Sequence, residues 1–133
     1  MEEKRIYRPL PVFDKEDIER ILDSALSEAL ILLPLSLGEY HPNWKEAQDI
    51  CVSLADHQDE RVRANAALGI AYIARTKGKL EKHIIKPVLI KLLATCPGQQ
   101  GRVIDAIEDV NFYMHWKIGE KAIARLQDEQ GLK

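Results

Sequence analysis

The chain has 133 residues, which is typical of one domain, and its 46% apolar and 30% charged residues are usual for a globular protein and exclude a largely disordered one. The net charge of −2 hides an asymmetry, since residues 1–60 carry −8 and residues 61–91 carry +7. Pro34 breaks the longest apolar stretch, which is far shorter than the roughly 20 residues that span a bilayer. The polar N-terminus has no apolar run after it, so we expect a cytoplasmic protein that does not associate with membranes.

The first part of the chain predicts an extended arm and one long helix. Residues 1–13 contain two prolines and show no periodicity, which favours an arm. Asp14 is a suitable N-cap for a helix, because apolar residues recur at i, i+3 and i+4 through residues 18–30. Pro34 predicts the end of this helix and residues 34–43 predict a loop.

Residues 44–75 predict a helical hairpin. An apolar stripe runs from Trp44 to Ala55, and a short polar turn follows it. Asp59 in that turn can cap the second helix. Gly78 is suited to end the second helix, since glycine adopts the left-handed conformation at little cost.

Residues 80–114 predict a second hairpin. Its first helix covers about residues 80–94, where Pro87 predicts either a kink or a helix that starts just before the proline. A turn rich in proline and glycine leads to a second helix over about residues 102–114. Gly119 breaks the pattern, and a last short helix follows it. No segment alternates with period two, so the sequence predicts an all-α protein.

The two hairpins share one plan: an apolar helix, a turn, and a helix that opens with an Arg-Val pair. Val62 and Val103 are 41 residues apart, within the roughly 40–47 residues of a HEAT unit. One hairpin cannot bury both of its apolar faces alone, so hairpins are expected to stack. The sequence therefore predicts a single domain over residues 1–133, a short α-solenoid of HEAT-like antiparallel hairpins with capping helices.

The stretch 59–67, with the sequence DERVRANAA, resembles the HEAT signature, in which an acidic turn precedes Val-Arg and a helix of small residues. In that family, an acid of the turn pairs with the arginine between stacked repeats. The resemblance implies these roles for Asp56 and Arg63. The second hairpin departs from the signature, because no acidic turn precedes Arg102.

Residues 70–80 and 101–110 extend the resemblance to a group of small bacterial HEAT-repeat proteins. Many of those proteins are encoded beside polymorphic toxins, including toxins of contact-dependent growth inhibition. The resemblance covers about residues 44–114. It implies an immunity protein, without enzymatic activity, that binds and neutralises a cognate toxin domain, and a nuclease is the toxin activity that we expect.

Three acids provide the first candidate partner-binding surface. Asp105, Glu108 and Asp109 have the spacing of one exposed helix stripe, which is either a solvated face or an acidic patch for a basic toxin. Large rings belong to the core more often than to an interface, but exposed tyrosine and tryptophan dominate binding hot spots. The ring candidates are Tyr72, Tyr113 and Trp116. The acidic outer face of the first helix is a second candidate surface.

Two other protein classes remain as alternatives. A generic HEAT scaffold would bind an unrelated protein, and a nucleic-acid-binding module would use the basic stretch 61–91, although the net negative charge disfavours it. The basic residues that favour this second alternative are Arg61, Arg75, Lys77, Lys79, Lys82, Lys86 and Lys91. The four histidines and two cysteines lack the spacing of metal ligands or of a catalytic motif, so we expect no metal, no cofactor and no catalytic residue.

Overall fold

The structure is a computed structural model, and it describes residues 10–24 and 27–129. Within those ranges the chain forms seven α-helices and no strand, which confirms the all-α prediction. None of the helices in the described ranges has the length and apolar character needed to cross a membrane. The helices are α1 (Lys15–Ser24), α2 (Ser27–Tyr40), α3 (Trp44–Leu54), α4 (Glu60–Lys77), α5 (Lys82–Thr95), α6 (Gln100–Met114) and α7 (Glu120–Glu129), with a 3₁₀ turn (Pro97–Gln99) before α6.

The predicted helix caps are confirmed. Asp14 Oδ1 accepts from the Asp17 amide at 2.8 Å, and Asp17 Oδ2 accepts from the Asp14 amide at 3.2 Å. At the start of α4, Asp59 Oδ1 accepts from the Arg61 amide at 2.9 Å. The Arg61 side chain also bonds this carboxylate, and these two contacts lower the pKa of Asp59 from its ordinary value. Gly78 ends α4 with a φ of 64°.

The prediction that Pro34 ends the first helix was wrong. Pro34 lies inside α2, which continues to Tyr40, so most of the predicted loop is helical. The missing N–H of Pro34 leaves the Leu30 carbonyl without its helical donor, but tertiary contacts can stabilise the helix. At the next carbonyl, that of Ile31, Asn65 Nδ2 of α4 donates a hydrogen bond at 2.7 Å. The other part of the prediction, one helix from residue 14 to residue 33, crosses residues 25–26, which lie outside the described residues.

The start of α5 is also set by a tertiary contact. The helix begins at Lys82 and continues through Pro87, so the alternative of a start just before the proline was wrong. Gln48 of α3 is fully buried, and it accepts from the Glu81 amide at 2.7 Å and donates to the Glu81 carboxylate at 2.8 Å. This pair of hydrogen bonds holds the backbone just before α5 and so favours the earlier start.

Helix α4 is the centre of the molecule and packs against α2, α3, α5 and α6. Ten of its 18 residues are buried. It runs in the same direction as α2, because Asn65 contacts Ile31 and Thr76 Oγ1 donates to the Gly38 carbonyl at 2.8 Å. The two backbones come very close: a Cβ on Gly38 would lie 2.5 Å from the Gly69 carbonyl oxygen.

The last helix of this layer, α6, is parallel to α4. The Gly98 amide, just before α6, donates to Glu60 at 2.7 Å, and Arg102 donates to Asn65 at 2.9 Å. The helices α2, α4 and α6 therefore form one parallel layer, and short turns place α3 and α5 beside it.

Asp56 and Arg63 have different partners from those that the resemblance implied. Lys91 of α5 pairs with Asp56 at 2.6 Å. The Arg63 guanidinium donates to the His57 carbonyl at 2.9 Å and to the Thr95 carbonyl at 2.7 Å. Both residues contact α5, but they do so through a lysine and through a backbone carbonyl.

Candidate protein-binding surface

The outward face of α6 carries the acidic stripe predicted from the sequence. The core-facing residues of this helix include Val103, Ile107 and Val110. Ile104 and Ala106 are buried as well, so only part of the circumference of α6 faces outward. Asp105, Glu108 and Asp109 are all exposed there.

These three acids differ from most other acids of the molecule, because no hydrogen bond or ion pair joins them to any other residue that the structure describes. By contrast, Glu39 pairs with Arg75. No described residue therefore neutralises the negative charge of this stripe. We call the group Asp105, Glu108, Asp109 and Phe112 the α6 face.

Phe112 is a member of the α6 face that our sequence reasoning did not select. It is 72% exposed, more than any other large hydrophobic side chain in the described ranges. Its ring meets the edge of Tyr113, with centroids 5.0 Å apart and planes at 87°, and Tyr113 is 40% exposed. The signal was present, since Phe112 follows Glu108 by four residues and therefore shares the face of the acids.

The other two ring candidates are partly covered. Tyr72 of α4 is half-buried, and the Arg75 guanidinium lies 4.7 Å from its ring centroid. Trp116 is half-buried beyond the end of α6, with Lys82 Nζ 5.6 Å from its ring centroid. Of the three predicted rings, only Tyr113 is exposed on the same helix as the acids.

A cleft of about 340 Å³ separates α6 from α7 and borders the α6 face. Glu108 of α6 and Glu120 of α7 both line it, and Ile123 and Ala124 are apolar parts of the lining. The side chain of Asn111 supports the segment between the helices, because it donates to the Ile118 carbonyl at 3.0 Å and accepts from the Ile118 amide at 2.9 Å.

The basic stretch 61–91 is not a uniformly free basic surface. Three of its cations form ion pairs: Arg61 with Asp59, Arg75 with Glu39 and Lys91 with Asp56. Arg63 donates to the Thr95 carbonyl. Lys77 and Lys79 are exposed on either side of Gly78. Carboxylates outside the stretch therefore pair with three of its eight cations, and Arg63 is engaged by backbone carbonyls.

The thiols and possible metal ligands are distributed without a shared site in the described ranges. No three of the His, Cys, Asp and Glu side chains there are grouped as metal ligands. Cys51 and Cys96 are both buried and free. Burial raises the pKa of the Cys51 thiol to about 12, which disfavours the reactive thiolate.

No family model, curated protein or solved structure matches this chain. The described part of the molecule is defined by its own features: an all-helical protein with a central buried helix and an exposed face that combines a phenylalanine with carboxylates that lack internal partners.

Proposed function

We propose that this protein is a non-catalytic immunity protein that binds a cognate bacterial toxin domain and neutralises it. The observation that carries the proposal is Phe112, which is 72% exposed on a well-packed helix among three acids. An exposed aromatic side chain inside a rim of charge is typical of an interface hot spot before its partner binds.

The packing supports an α-solenoid of HEAT-like hairpins as the scaffold for this role. Hydrogen bonds between successive helices of the parallel layer join residues that are similarly far apart in the sequence. Ile31 and Asn65 are 34 positions apart, and Asn65 and Arg102 are 37 positions apart. Similar separations are expected when like units stack side by side and share a core.

The mechanism we propose is occlusion of the toxin. The α6 face is negatively charged, so it attracts a basic surface and accelerates encounter at low ionic strength. A nuclease toxin has a basic substrate-binding cleft, because it must bind phosphates. An inhibitor that covers or borders that cleft prevents the substrate from entering without performing any chemistry.

The direct test uses the toxin domain at the C-terminus of the protein encoded immediately upstream. Co-expression of this chain is expected to restore the growth of cells that produce the domain, and the purified proteins are expected to form a complex.

The variant D105N/E108Q/D109N is expected to reduce the association rate about tenfold at low salt and much less at high salt, because the charges act mainly by steering. Phe112→Ala is expected to accelerate dissociation by about fivefold or more.

The matched control is E16Q/E19Q/D23N on α1, which removes the same charge from exposed acids on another helix. The outer face of α1 was the second candidate surface, but α1 has no aromatic side chain beside its acids, so we expect this variant to change the association rate little. Unchanged kinetics in the α6 variants would remove this face from the interface. An upstream gene without a toxin-like domain, or a domain that neither binds nor is neutralised, would overturn the immunity proposal itself.

A further inference from the structure

We infer that the α6 face and the neighbouring cleft receive an arginine-bearing segment of the partner protein, with the guanidinium held between Glu108 and Glu120. This inference rests on the proposed function, since it names the chemistry of the partner that the same surface would bind. It follows from the shape of the cleft, the charges on its two walls and the position of Phe112.

The two walls of the cleft present like charges toward one space. Glu108 belongs to α6 and Glu120 to α7, both are exposed, and neither has an ion-pair partner within the described ranges. The nearby cations Lys117 and Lys121 are exposed but do not line the cleft. A cation from outside would therefore gain two carboxylate partners, whereas a phosphate would be repelled.

The rest of the lining favours a long side chain with an apolar stem. Ile123 and Ala124 supply apolar surface, and the Asn111 side chain is already occupied by the Ile118 backbone. Arginine can lay its methylene stem on such a surface and direct its planar fork of N–H donors to carboxylates. Two carboxylates on facing helices suit the several donors of a guanidinium better than the compact charge of a lysine.

Phe112 extends the site beyond the cleft. It lies one helical turn after Glu108 and is exposed, so a segment that inserts an arginine has this ring beside its backbone. The partner segment would thus carry an apolar residue next to the arginine. An arginine beside an apolar residue is found in a protein segment and not in nucleic acid, whose phosphates would be repelled by the acids of this face.

The probe for the test is an acetylated and amidated tripeptide of sequence Arg-Leu-Arg, titrated into the ¹⁵N-labelled full chain. Its control is the same peptide with citrulline in place of both arginines, which keeps the shape and removes the charge. We expect the amide shifts to concentrate at residues 108–112 and 120–127, and the citrulline peptide to bind at least about fivefold more weakly. The variant E108Q/E120Q is expected to weaken the arginine peptide similarly. E16Q/E19Q on α1, the second candidate surface, removes two acids that do not line this cleft and is expected to leave binding of the peptide unchanged.

Equal binding of the two peptides, shifts spread over acids elsewhere, or an equal loss in both double variants would overturn the inference. The experiments distinguish failure of the arginine site from failure of the proposed immunity function. If the peptide binds in the cleft but the upstream toxin domain does not bind the chain, the immunity proposal fails alone. If the toxin domain binds E108Q/E120Q as tightly as the native chain and the peptide does not bind, the arginine site fails alone.

Discussion

Asn65 shows how one polar residue can connect three helices. It is 3% exposed, and its side chain donates to the Ile31 carbonyl of α2 and accepts from Arg102 of α6. A buried amide is tolerated because such partners replace the hydrogen bonds that it would make with water. Asn65 therefore supports the turn before Pro34 and also holds the side chain of Arg102 one turn before Asp105.

We expect Asn65→Leu to lower the free energy of unfolding by about 1–3 kcal/mol. Leucine is similar in size, but it makes neither of the two side-chain hydrogen bonds of Asn65, and each such bond contributes about 0.5–1.5 kcal/mol net. Urea unfolding followed by circular dichroism measures the change. Gln58→Leu, at an exposed position, is the control and is expected to stay within about 0.5 kcal/mol. Equal midpoints for the two variants would show that the Asn65 network contributes nothing.

At the scale of the helices, the packing of α2 on α4 depends on glycines at the points of closest approach. A Cβ added to Gly69 would lie 2.6 Å from the Pro34 carbonyl oxygen and 2.8 Å from Cys51 Sγ. Backbone atoms cannot give way as a flexible side chain can, so both helices would have to separate. The contact between α2 and α4 therefore has little tolerance for added volume at these two glycines.

We predict that Gly38→Ala and Gly69→Ala each destabilise the protein by about 1–3 kcal/mol through overpacking. Gly101→Ala is the matched control, because its added Cβ meets no atom within 4 Å and lies in the first turn of α6. Alanine has the higher helix propensity, so this control is expected to be neutral or to gain up to about 1 kcal/mol. Thermal unfolding of the three variants gives the comparison, and equal melting temperatures for all three would contradict the close packing.

At the scale of the whole molecule, burial is greatest at the centre and falls toward the end of the chain. Ten residues of α4 are buried, whereas only Ile123 is buried in α7. Clefts lie on two sides of α7, one against α6 and one against α5. A helix with little buried surface opens at lower free energy than the core that supports it.

Native-state hydrogen exchange is expected to reflect this gradient. The amides of α4 should be the most strongly protected, and those of α7 should exchange well before global unfolding. Peptide-resolved mass spectrometry measures both in one experiment. Ile123→Ala is expected to accelerate exchange in α7 while α4 remains protected. Uniform protection across the described helices would indicate that the molecule opens only as one unit.

The sequence by itself determined the features that depend on nearest neighbours in the chain. The caps at Asp14, Asp59 and Gly78 were predictable, because each satisfies backbone groups a few residues away. The helix over residues 44–54 was predictable for the same reason, since one buried stripe is enough to specify an amphipathic helix. The helix over residues 60–77 was predictable too, although ten of its residues are buried, which is more than one stripe.

The tertiary structure alone decided where a helix continues through a proline, which charged residues pair and which side chains stay exposed. Pro34 is inside a helix that packs along α4, and α4 adds a tertiary hydrogen bond to this helix at the Ile31 carbonyl. Asp56 pairs with Lys91 because α5 lies beside α3, which no local pattern encodes. The exposure of Phe112 likewise depends on which face of α6 the neighbouring helices cover. Contacts between residues more than 30 positions apart set these outcomes, and a single sequence does not reveal such partners.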